Sequence, residues 1–171
     1  MALGSTSPSF NLKPGADSVP SIVSMADPLL DRMVGDWVLR GTIASRQSVV
    51  HDVKADWVLA HHYIRIHEVS REKNMDGRPE YEAMVFIAWN EQGPRYSCAW
   101  LDVTGGLSPL SIGIASPTGN ELPFVFRDEK GDLNLTNTFV YNPKDDSWEW
   151  RIDNVEKGVP KEFARLRLTR A

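Results

Sequence analysis

Trp37-Val38-Leu39-Arg40-Gly41-Thr42-Ile43, entered through Gly35-Asp36, is the stretch that decides the architecture. Trp37, Leu39, Gly41 and Ile43 share one face of an extended chain, and Val38, Arg40 and Thr42 share the other. That is the period-two pattern of a strand with one wet face. The same alternation returns in Trp148, Trp150 and Ile152 against Glu149, Arg151 and Asp153.

Strand-like runs of this kind fill the chain: Trp37–Ala44, Val49–Ala60, His61–Val69, Tyr81–Trp89, Tyr96–Val103, Leu110–Ala115, Leu122–Phe126, Leu133–Tyr141, Trp148–Asn154 and Glu162–Thr169. Turn signals such as Asp76-Gly77-Arg78-Pro79, Thr104-Gly105-Gly106, Lys130-Gly131-Asp132 and Lys157-Gly158 part them. Short links and no interleaved long helix predict an antiparallel meander. A meander this long closes on itself, because closure removes exposed edges. The expected fold is all-β, a single up-and-down antiparallel barrel of about ten strands.

Ahead of the first strand, Ala26-Asp27-Pro28-Leu29-Leu30-Asp31-Arg32-Met33-Val34-Gly35 predicts a short helix. Asp27 caps it, Pro28 suits its first position and Gly35 ends it. Such a helix cannot stand alone, so it should plug one barrel end. Residues 1–24 are small, polar and proline-punctuated, without apolar periodicity, and predict a flexible arm ahead of a barrel domain over 25–171.

A chain of 171 residues with 42% hydrophobic and 25% charged residues is sized for one globular domain. The net charge of −4 and the absence of a Lys/Arg run argue against a nucleic-acid partner. No apolar stretch is long enough to span a bilayer as a helix. The lone Cys98 permits no intrachain disulfide and reads as a buried, inert thiol. Whether the compartment is cytoplasmic or periplasmic stays open.

Asp27-Pro28-Leu29, Met33-Val34-Gly35-Asp36-Trp37, Ala55-Asp56-Trp57-Val58-Leu59, Trp100-Leu101-Asp102 and Trp148-Glu149-Trp150, followed by a last strand with arginines, resemble an uncharacterised family of bacterial calycin-like barrels. The likeness runs over residues 26–170. The wider group holds lipocalins, fatty-acid-binding proteins and haem-binding nitrobindins. The resemblance implies a barrel with a lined interior. It also implies that Trp37 packs across a closed end, with Arg165 or Arg167 of the last strand stacked on its face. No cofactor is expected: haem-bearing relatives carry their axial histidine late in the chain, and here none follows His67.

Chemistry-bearing candidates cluster in the third run. His61, Tyr63, Arg65 and His67 share one face, and His62, Ile64, Ile66 and Glu68 the other. If the first set faces inward, it forms a polar wall with acid–base capacity, which Asp102 can join. If it faces outward, Ile64 and Ile66 enter the core, and the two isoleucines favour that phase. If Asp102 faces inward it is a buried acid that Glu82 or Asn137 can join; the favoured alternative is a strand-end residue that starts the turn Asp102-Val103-Thr104-Gly105. Trp57, Trp89, Trp100, Trp150 and Asn137 are the expected ligand-contacting residues. Histidine spacing matches no metal motif, so no metal is expected.

Three functions remain open. One is binding of a small, mostly apolar or aromatic molecule inside the barrel. The second is a cofactor-independent enzyme of cyclase, isomerase or hydratase type. The third is a dimeric interaction protein whose barrel is filled by its own side chains. The fourth run, Tyr81–Trp89, is apolar on both faces, so a homodimer contact or the arm should cover its outer side.

Overall fold

The computed structural model describes residues 27–44, 47–90, 93 and 95–171. The expected arm over 1–24 lies outside these. Ten strands form one closed antiparallel barrel: β1 (Gly35–Ile43), β2 (Gln47–Val58), β3 (Tyr63–Ser70), β4 (Glu82–Asn90), β5 (Arg95–Asp102), β6 (Ile112–Ala115), β7 (Glu121–Arg127), β8 (Leu133–Asn142), β9 (Ser147–Glu156) and β10 (Val159–Arg170). Each pairs with its chain neighbours, and β1 closes the ring on β10. This is the up-and-down order that the short turns predict. Among the described residues no helix is long and apolar enough to cross a membrane.

Alternation sorts the side chains. Leu39, Val53, Ile66, Val85, Cys98, Leu122, Phe139, Trp150 and Leu166 point into a shared core. Cys98 is buried there, and burial pushes its thiol well above the ordinary value.

The two barrel ends differ. Helix α1 (Pro28–Asp31) sits at the end where β1 begins and inserts Leu30, with Met33 just beyond it, into the core. Asp27 caps α1 as expected, accepting from the Leu29 and Leu30 amides at 3.0 Å each. Its other carboxylate oxygen accepts from the Tyr96 hydroxyl, which ties the cap to β5. The helix stops earlier than the sequence suggests, with Arg32 as its C-cap. Gly35 instead opens β1 with φ 135°, and a Cβ there would lie 2.3 Å from Nη1 of Arg170. The glycine is needed for that close approach.

Arg170 is the cation on Trp37, its guanidinium carbon 3.7 Å from the ring centroid. The expected partners, Arg165 and Arg167, are displaced by register. Trp37 lies opposite Arg170, whereas Arg167 meets Arg40 and Arg165 meets Thr42. Arg165 instead binds Asp153 near the opposite barrel end, and Arg167 binds Asp145 outside.

The outer face of β4 is partly shielded within the sheet. Phe86 is flanked by Arg65 and Ala99, and Met84 by His67 and Leu101, and both are half-buried.

Candidate functional site

The end opposite α1 carries the β3–β4 and β5–β6 connections and opens into a cavity of about 550 Å³. Its wall is largely apolar: Ile43, Trp100, Leu110, Phe126, Leu135, Trp150, Ile152, Phe163 and Leu166 among others. The aromatic side is built by packing. Phe139 meets Trp150 edge-on at 4.8 Å between centroids, and Trp150 meets Trp100 at 6.1 Å. Such edge-to-face pairs hold ring orientations by their quadrupoles.

Besides Thr104, Ser108, Ser111 and Asn154, two sets of polar groups interrupt this wall. On one side stand Glu68, Tyr81 and Asp102. Glu68 is 3% exposed and takes a 2.5 Å bond from Nδ1 of His51, itself 3% exposed. The His51 ring stacks on Tyr81 at 5.7 Å. The Tyr81 hydroxyl donates to Asp102 Oδ2 at 3.4 Å and accepts from the Trp100 indole at 3.2 Å. Burial, then the nearby Glu68 charge, holds the Tyr81 phenol far above its usual pKa, so it is a neutral donor. Asp102 also accepts from the Thr104 amide at 2.7 Å, closing the turn that the sequence suggests there.

On the other side are Asn137, 2% exposed, and Trp150, fully buried. The Asn137 Oδ1 and Trp150 Nε1 atoms have no hydrogen-bond partner. An unpaired buried polar atom costs about 1–3 kcal/mol. Two such atoms, Asn137 Oδ1 and Trp150 Nε1, stand at one cavity wall.

The expected residues divide sharply. Trp100, Trp150, Asn137 and Asp102 line the cavity. Trp57 and Trp89 share the inward phase but lie at the helix end. Trp57 donates to Asp31 of α1 at 2.8 Å, and Trp89 packs edge-on against Tyr96.

The polar wall of the third run faces outward. Tyr63 is exposed, Arg65 pairs with Asp56 at 2.8 Å outside the barrel, and His67 pairs with Glu82 at 2.7 Å. Glu82 is thereby outside too. His61 is not in a strand at all; it adopts φ 65° in the β2–β3 turn and stacks on Trp57. The physical reason is burial: Ile64 and Ile66 are wholly inside, and period two carries Tyr63, Arg65 and His67 to the other face.

That same phase sends Glu68 inward, and the sequence reading passed over it. Its signal was a carboxylate that continues the period-two series of Ile64 and Ile66. His51, flanked at period two by Val49 and Val53, carried the matching signal. The β2–β3 register, His51 opposite Ser70 and Val53 opposite Glu68, makes them diagonal neighbours. Among the described residues no three His, Cys, Asp or Glu side chains converge as metal ligands.

No protein-family model and no curated protein matches this chain.

Proposed function

We propose that the protein holds a small, mostly apolar or aromatic molecule in the cavity at the barrel end opposite α1. The observation that carries this reading is the Asn137 amide oxygen, buried without a partner at the largely apolar and aromatic wall of a cavity of about 550 Å³. Apolar lining supplies affinity there, and a few polar atoms orient the guest. The likeness to calycin barrels supports the same use of the interior. Native mass spectrometry of the freshly purified chain, beside its denatured mass, tests it. A bound mass that leaves on denaturation is expected. An apo spectrum, together with no binding of added aromatic compounds, would sink the reading.

The buried His51–Glu68 pair favours a second reading, a cofactor-independent isomerase, cyclase or hydratase. Glu68 would serve as the base, oriented by His51, with Tyr81 as a neutral donor. This replaces the His61, Tyr63, Arg65 and His67 set. We also propose a homodimer through the outer faces of β4–β6, where Leu101 and Ile112 are exposed beside Met84 and Phe86. Light scattering across a concentration series checks it, and a constant monomer mass would refute it.

A further inference from the structure

The cavity wall has an unbalanced charge. Glu68 and Asp102 both line it, and among the described residues no Lys, Arg or His does. Counting His51, behind Glu68, as an imidazolium still leaves one negative charge in excess. Arg71 and Arg165 are engaged outside the cavity, Arg71 with Asp52 and Arg165 with Asp153.

The carboxylates flank a single phenol. Tyr81 donates to Asp102 and packs on the His51 ring that binds Glu68. His51 engages Oε1 of Glu68, and no described residue bonds its second oxygen. A third acceptor, the Asn137 amide oxygen, is buried and unpartnered on the same wall. Beside these acceptors stand the indole rings of Trp100 and Trp150. A desolvated cation gains both from carboxylates and from aromatic faces. An anion could take the free Trp150 N–H but would meet the repulsion of both carboxylates.

We propose that the guest is a cationic aromatic amine, its ring against Trp100 and Trp150 and its ammonium directed to Glu68, Asp102 and Asn137. This inference rests on the container reading above and adds the charge of the guest.

Isothermal titration with three compounds that share a ring and differ at the tail tests it: tryptamine, tryptophol and indole-3-propionate, at neutral pH and low salt. Tryptamine should bind at least about tenfold tighter than tryptophol, the size expected for charge-assisted over neutral hydrogen bonds. Indole-3-propionate should bind weakest. In a Glu68→Gln/Asp102→Asn variant the tryptamine advantage should vanish while tryptophol binding persists, and that persistence shows the barrel is intact. If tryptophol or indole-3-propionate matches tryptamine, the charge assignment is wrong and the container reading stands. If none of the three binds, this proposal fails, and the container reading falls with it only where the native mass spectrum is also apo. If the variant keeps the full preference for tryptamine, the carboxylates named here are not its cause and the proposal fails.

Discussion

The guanidinium carbon of Arg170 stands over Trp37, 3.7 Å from the ring centroid, and the same guanidinium donates to the Val34 carbonyl at 2.7 Å. The last strand thereby clamps the helix-to-strand junction while the indole N–H of Trp37 bonds the Met33 carbonyl at 2.8 Å. Trp37 is 1% exposed, so Trp37→Ala should cost about 3–5 kcal/mol, the range for buried aromatic truncation. Arg170→Lys keeps the charge but loses the planar fork, and should cost about 1 kcal/mol. Urea unfolding measures both. A loss within error for Trp37→Ala would mean the ring is not what closes this end.

Gly35 exists for that arginine. Gly35→Ala should destabilise the wild-type chain, because its new methyl group displaces Nη1 of Arg170 and its backbone sits at φ 135°. In an Arg170→Ala background only the backbone penalty remains, so the cost should shrink. A double-mutant cycle reads the difference. Additive costs would uncouple the two residues.

Asn137→Leu should leave stability unchanged or raise it, since the unpaired oxygen of Asn137 goes and an apolar group of similar size replaces it. Ligand binding should fall in the same variant. Denaturant midpoints and titration calorimetry together decide. A clear loss of stability would show that the amide has a partner in the apo protein.

The pH profile should bend at both ends. Hydrogen bonds from Arg170 to Asp146 and from Arg71 to Asp52 hold both carboxyls below their usual 3.8. Their stabilisation is present above that value and is lost as pH falls through the lower folded-state values. At the alkaline end, burial raises Tyr81 and Tyr96 above 10.0 and Cys98 above 9.0. These groups stabilise fully below their unfolded values, and that contribution drains away as pH climbs beyond them. Guanidinium midpoints from pH 7 to 11 should therefore drop at the top, less steeply in Tyr81→Phe. Superimposable curves would remove Tyr81 from the account.

Strands and turns were legible because period two and glycine-bearing links are local signals. Each of the ten runs lies on an observed strand, with ends shifted by a few residues. Relations across strands were not legible. Which arginine reaches Trp37 depends on the β1–β10 offset, although period two already sets Arg170 in the buried phase of Leu166 and Leu168 and sets Arg165 and Arg167 on the other face. The site shows the same divide. Trp100, Trp150, Asn137 and Asp102 could be picked as polar or aromatic residues on strands with an inward face. His51, Glu68 and Tyr81 come from three chain segments, and their meeting is a matter of register. The histidines around residue 61 drew attention by chemistry, while the burial of Ile64 and Ile66 had the larger free energy and set the phase.

Because β1 is sealed by β10, the ring cannot close during synthesis until the tenth strand has left the ribosome. Until then β1 carries an open edge of unpaired amides and carbonyls through most of translation, the kind of edge that recruits foreign strands. The nascent chain, rather than the finished barrel, is the form of this protein that most needs a chaperone's cover.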